Sequence, residues 1–113
     1  MDYTVQQVKD IVAEATMAAR EAAELYFQTK LGGRDQYACG FAWVNICGIK
    51  GNTKLGRTLK QAGIRQDYTK AFQLWNPSGL PVQNIDCKEV GANAAALVLQ
   101  KYGFQAFVGS RLD

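Results

Sequence analysis

In the segment Gly40-Phe41-Ala42-Trp43-Val44-Asn45-Ile46, aromatic or amide positions alternate with aliphatic ones. Successive side chains of a strand point to opposite faces, so Phe41, Trp43 and Asn45 share one face and Ala42, Val44 and Ile46 the other. The same division recurs in Gln73 and Trp75 against Phe72 and Leu74. It recurs again in Gln105 and Phe107 against Phe104, Ala106 and Val108. Strands of this kind in one sheet give an aliphatic core face and a second face of aromatics interleaved with amides. The second face must either bind something or be covered.

A different period governs residues 4–30. Val5, Val8, Val12, Ala15, Ala19, Ala22 and Tyr26 recur at spacings of three and four, which predicts one long amphipathic helix. The run is rich in Ala, contains no Gly or Pro, and meets its stop at Gly32-Gly33. At 1.5 Å per residue such a helix reaches about 40 Å, longer than a small sheet is wide. Its small residues permit close approach of another helix or a sheet.

Further along, a first strand is expected over about Tyr37 to Cys47. A second helix follows, with Asn52 or Thr53 as N-cap; Leu55, Leu59 and Ala62 line its buried side and Gly63 closes it. The next strand is expected over Thr69 to Trp75, running into the turn Asn76-Pro77-Ser78-Gly79. Val82 to Ile85 reads as its return strand, at an edge because of Pro81. Asp86-Cys87-Lys88-Glu89 has a capping-box layout that opens a helix through Ala92, Ala95, Ala96, Leu99 and Tyr102 to Gly103. Phe104 to Gly109 is the last strand.

This order predicts an α+β fold: a ferredoxin-like βαββαβ antiparallel sheet preceded by a long N-terminal amphipathic helix. The whole of 1–113 is then one domain, with the N-terminal helix over 1–33 and the α+β core over 37–110. Val44, Ile46, Phe72, Leu74, Phe104 and Val108 are expected under the two later helices. The first helix is expected to cross the aromatic face or to pair with a second subunit.

Composition narrows the chemistry. A chain with 48% hydrophobic and 20% charged residues is globular in character. Histidine is absent, which removes Ser-His-Asp and Cys-His catalysis, imidazole metal ligands and a side chain titrating near neutrality. Cys39, Cys47 and Cys87 are odd in number and unpatterned, so neither a disulfide framework nor a metal site is expected. No apolar run is long enough to span a membrane. The opening Met1-Asp2-Tyr3-Thr4 has neither the basic region nor the apolar core of a signal peptide. A reducing cytoplasm is the expectation. The net charge of +3 is unevenly spread: residues 39–80 carry Lys50, Lys54, Arg57, Lys60, Arg65 and Lys70 against Asp67 alone. That middle third suggests an anionic partner.

Two candidate surfaces follow. Cys39-Gly40-Phe41-Ala42-Trp43-Val44-Asn45-Ile46 resembles the RNP1 octapeptide of RNA-recognition motifs, in which a strand displays rings for base stacking. Cys39 replaces the basic first position, Ile46 replaces the aromatic last one, and the segment lies on the first strand rather than the third. The resemblance covers eight residues, so it implies the physics of stacking and not membership. The stacking face comprises Phe41, Trp43, Asn45, Gln73, Trp75, Gln105 and Phe107, and its competing fate is burial beneath the first helix or a second copy. The other candidate is an anion site of Lys50, Gly51, Asn52, Thr53, Lys54, Arg57 and Lys60 at the start of the second helix. It lacks the spacing of a P-loop, and an ordinary turn with a solvated face competes with it.

Cys87, expected in a first helical turn beside Lys88, would have a lowered thiol pKa, against a competing role as a packing residue. Tyr37, Tyr68, Asp67 and Asp86 have no spacing that demands acid–base work, and Asp86 is expected to serve as an N-cap. No catalytic residues are assigned. The runs Gly51-Asn52-Thr53-Lys54-Leu55-Gly56-Arg57, Trp75-Asn76-Pro77-Ser78-Gly79 and Gly109-Ser110-Arg111-Leu112-Asp113 are similar to small uncharacterised proteins of marine T4-like phages. That resemblance implies a small accessory protein acting in the cytoplasm of an infected bacterial host, and carries no active site with it. The sequence thus points first to a non-catalytic interaction or oligomerisation module without cofactor or metal, forming homo-oligomers. The alternative is a binder of single-stranded nucleic acid or a phosphorylated ligand; a small enzyme without histidine chemistry stands further off.

Overall fold

Small side chains at helical spacing decide how the first element is used. The computed structural model describes residues Met1–Asp113 and places helix α1 over Val5–Thr29. Thr4 caps it: its hydroxyl accepts from the Gln7 N–H while the Gln7 side chain accepts from the Thr4 N–H, a capping box. The seam Ala15, Ala19 and Ala23 is completely buried. It runs antiparallel along helix α3, Ile85–Lys101. Gly91 of α3 lies so close that a Cβ there would stand 3.2 Å from the Ala19 carbonyl oxygen and 3.0 Å from the Ser78 Cβ. One end of the pair, where α1 starts and α3 finishes, is clamped by polar contacts. Tyr3 Oη donates to the Tyr102 carbonyl at 2.7 Å, Tyr102 Oη donates to Glu14 at 2.6 Å, and Lys101 pairs with the same carboxylate.

Beyond α1 come β1 (Gly40–Cys47), α2 (Lys54–Gln61), β2 (Arg65–Gln66), β3 (Phe72–Trp75), α3 and β4 (Gln105–Leu112). The strands form one antiparallel sheet in the order β2-β3-β1-β4. Ala42, Val44, Ile46, Phe72 and Ala106 face a core shared with Ala92, Ala95, Ala96 and Leu99 of α3, Leu59 of α2, and Val8 and Ile11 of α1. Phe104, just before β4, is buried there too, while Leu74 and Val108 sit at its margin. All three helices therefore lie on the aliphatic side. The expectation that α1 crosses the aromatic face is overturned: its alanine seam is spent on α3. No helix is long and apolar enough to cross a membrane.

The strand–helix–strand–strand–helix–strand sequence is present, but two of its strands are not the expected segments. Thr69–Ala71 belong to a turn, because Asp67 Oδ1 accepts from the Thr69 N–H, the Thr69 hydroxyl and the Ala71 N–H, and Lys70 takes a φ of 72°. That turn joins Phe72–Trp75 to the two-residue β2, which the sequence pattern does not reveal. Val82–Ile85 is no return strand. Asp35 accepts from the Gln83 and Asn84 N–H groups, and Asn84, not Asp86, caps α3 by accepting from the Cys87 N–H. Tyr37 has a φ of 69°, so β1 begins at Gly40 rather than Tyr37. At its far end β4 continues three residues past Gly109.

Two outcomes test this packing. Ala19→Leu overfills the α1–α3 seam and should lower stability by about 1–3 kcal/mol in urea unfolding, whereas Ala13→Leu on the exposed side should be near neutral. The Lys101 ammonium, and after it the Tyr102 hydroxyl, hold the Glu14 carboxyl below its ordinary range. Because the folded value is the lower one, this stabilisation is present above the unfolded carboxylate pKa and is lost as pH falls through the folded one. Glu14→Gln should thus be destabilised relative to the parent at about pH 7, with the gap narrowing as acid protonates the parent's carboxylate.

Candidate functional site

Strand register assembles the second face of the sheet row by row. Asn45 lies between Phe107 of β4 and Gln73 of β3, and Gln73 in turn pairs with Arg65 of β2. One row along, Trp43 lies between Gly109 and Trp75; one row back, Cys47 lies opposite Gln105. Phe41 lies opposite Arg111. All seven residues expected on this face share it, and no element of the chain covers it: Trp75 is 54% and Phe107 58% exposed.

The rings are layered. Trp43 and Trp75 stack with centroids 5.2 Å apart and planes within 8°, and Phe41 tilts against Trp75 at 5.9 Å. Beneath them Gly109 is indispensable, since a Cβ there would stand 2.4 Å from Trp43 Nε1 and 2.5 Å from its Cε2. The indole of Trp43 rests on bare backbone on one side and meets Trp75 on the other. Trp75 is the outer ring, open to solvent.

Polar groups between the rings bond to one another. Gln73 Nε2 donates to Asn45 Oδ1 at 3.1 Å and to Asp67 Oδ2 at 3.3 Å. Asp67 is held below the ordinary carboxylate range, first by the Thr69 hydroxyl and then by backbone N–H groups, and so is consumed internally. The cations are Arg65 at the β2 end, with Arg111 and Lys88 centred 5.2 and 5.1 Å from the Phe41 ring. Lys88 is buried and donates to the Gly40 carbonyl at 2.7 Å. It serves an acceptor left over where β3 has turned away: Asn76 bonds Ala42, and Gly40 N–H finds Gln83 instead.

Sequence reasoning missed Arg65, Lys88 and Arg111. Lys88 falls in the apolar stripe with Ile85, Ala92 and Ala95, and a charge on a buried stripe is a signal. Arg111 has the same strand parity as Gln105 and Phe107, so extending the last strand finds it.

Beside Trp75 the sheet has a notch. The Asp67 N–H donates to Ala71 O, and by alternation the peptide groups of Gln73 and Trp75 also point toward β2. β2 begins only at Arg65, which leaves the Trp75 N–H and C=O without a strand partner. The result is a shallow cleft of about 530 Å³ lined by Gly63, Arg65, Gln66, Gln73, Leu74 and Trp75. It offers a ring, a guanidinium, amides and a free peptide edge.

The residues of the expected anion site gather at one turn, where several of them bond within the chain. Thr53 accepts from the Gly56 N–H at 3.0 Å and donates to the Lys50 carbonyl at 2.7 Å, and Arg57 donates to the Asn52 carbonyl at 2.7 Å. Lys54 pairs with Asp2 at 3.6 Å, and the Lys60 ammonium lies against Gly51. These groups do meet around one turn, but Thr53, Arg57 and Lys54 serve the chain's own acceptors. Cys87 takes the packing role and not the reactive one: its thiol is buried, donates to the Ala23 carbonyl at 3.3 Å, and is pushed up by burial. No three His, Cys, Asp or Glu side chains cluster as a metal site. Comparisons with protein-family models, curated proteins and solved structures return no match to this chain.

Gly109→Ala tests the layering. The added methyl must displace Trp43, so the near-UV circular dichroism of the tryptophan pair should collapse, with a loss of about 1–3 kcal/mol. Ser110→Ala, one residue on, should leave the spectrum intact.

Proposed function

We propose that the protein is a small non-catalytic binding module that works through its open sheet face, and that the face takes single-stranded nucleic acid. The carrying observation is the outer ring of Trp75 beside a cleft whose one charged lining residue is Arg65. A base stacks on Trp75, its polar edge meets Gln73 and the free Trp75 peptide, and Arg65 receives a phosphate. Arg111 extends the same polarity toward Phe41. The weight moves from self-assembly toward this reading because α1, the segment expected to bury the rings, is engaged elsewhere. The ring–amide alternation suits stacking without base-specific readout.

The same reading extends to the fold family. A ferredoxin-like description of the core is supported by β3 lying between β2 and β1, and β1 between β3 and β4, in an antiparallel sheet with helices to one side. The two-residue β2 is its irregular member.

Titrating the protein's tryptophan fluorescence with a short oligothymidylate at low salt tests the function. Saturable quenching is expected, weakening linearly on a log–log plot against salt. Trp75→Ala should cost about 1–3 kcal/mol of binding, and Arg65→Ala should flatten the salt dependence. Emission that no oligonucleotide changes, at any salt, would sink the nucleic-acid reading and turn the face over to a protein partner.

A further inference from the structure

The longest exposed backbone edge of the molecule is β4. It flanks the sheet beside β1, spans Gln105–Leu112, contains no Pro and carries one charged side chain, Arg111. Natural edges are normally blunted by charge, Pro or a covering segment, and an edge left bare is a template for pairing.

Alternation shows which peptide groups are bare. Asp113 N–H donates to the Cys39 carbonyl at 3.1 Å, so the odd-numbered residues of β4 turn their peptides to β1. Ala106, Val108, Ser110 and Leu112 turn theirs outward. The Ala106 carbonyl is already taken by Gln100 Nε2 at 2.8 Å, which ends the free edge on that side. What remains is Val108, Ser110 and Leu112, a stretch symmetric about Ser110.

We propose that two copies of this chain pair antiparallel through β4 about a two-fold axis at Ser110. The register follows from the free groups: Ser110 meets the partner's Ser110, and Val108 meets the partner's Leu112, with about six backbone hydrogen bonds in all. Side chains agree with it on both faces. Leu112, 69% exposed, is carried onto Val108 at the mouth of a groove of about 320 Å³ lined also by Leu97, Ala96 and Phe107. Leu97 is itself 65% exposed, so two unpartnered leucines cover each other. On the open face Arg111 is set against the partner's Gly109, which offers room and no charge; no two like charges stand directly opposite. The two sheets become one, and the aromatic faces of both copies become one continuous surface. This pairing stands on the β4 edge alone and does not depend on the ligand proposed for that surface.

Sedimentation equilibrium of the full chain tests the pairing, with Ser110→Pro and Leu112→Lys as variants. Pro at 110 removes an outward N–H and none of the bonds to β1; Lys at 112 changes an exposed side chain only. The parent should sediment as a dimer at tens of micromolar, and each variant should raise the dissociation constant by about tenfold or more with unchanged far-UV circular dichroism. Should the proline variant misfold, the lysine variant decides. A parent that stays monomeric at about 100 μM, or a dimer that Leu112→Lys leaves intact, would overturn the proposal.

Discussion

The close contact of α1 with α3 is the constraint from which the rest of this structure follows. Ala15, Ala19 and Ala23 against Gly91 bring two helix backbones together with almost no side-chain spacing. A single helix of this length, bound so tightly to the back of α3, is no longer free to lie over the sheet. The aliphatic side of the sheet is thereby covered, and the aromatic side is left to solvent. Polar contacts at Tyr3, Glu14, Lys101 and Tyr102 fix the angle and register of the pair rather than supply its main energy.

That division gives the open face its character. Four rings on an uncovered sheet would be an aggregation hazard if they were offered flat and together. Here Trp43 is bedded on Gly109 and roofed by Trp75, Phe41 leans against the outer ring, and Lys88 and Arg111 flank Phe41. The apolar area is partly self-satisfied, with the Arg111 guanidinium at its margin. The Asp67 carboxylate is taken up by its hydrogen bonds to Thr69, Ala71 and Gln73.

Much of this was legible in the chain because strand parity is local. The period of two alone placed Phe41, Trp43, Asn45, Gln73, Trp75, Gln105 and Phe107 on one face, whatever the order of strands. Helix ends were legible where glycine stops them, at Gly32-Gly33, Gly63 and Gly103. Other features were hidden because their signals are tertiary or very short. A two-residue strand has no period to read, so β2 and the Asp67 turn were invisible together. The Val82–Ile85 run has strand-like content, but Asn84 spends its side chain on the first turn of α3 and on the Gln36 carbonyl, and capping wins over pairing. The stripe on α1 states what is buried but not against which surface, which is why its destination was misread. The basic turn at 50–57 was legible as a cluster of charge, but nothing in its spacing announces that Thr53 and Arg57 bond back onto it.

The claim at the centre of this account is that α1 occupies α3 and leaves the aromatic face bare. Solvent paramagnetic relaxation enhancement by NMR measures it directly, residue by residue. The account predicts strong attenuation of the Trp75 indole and Phe107 ring signals, weaker attenuation of Trp43, and untouched methyl signals from Ala15, Ala19 and Ala23. Trp75 and Phe107 signals as well protected as the alanine methyls would mean that the face is covered, and would contradict it.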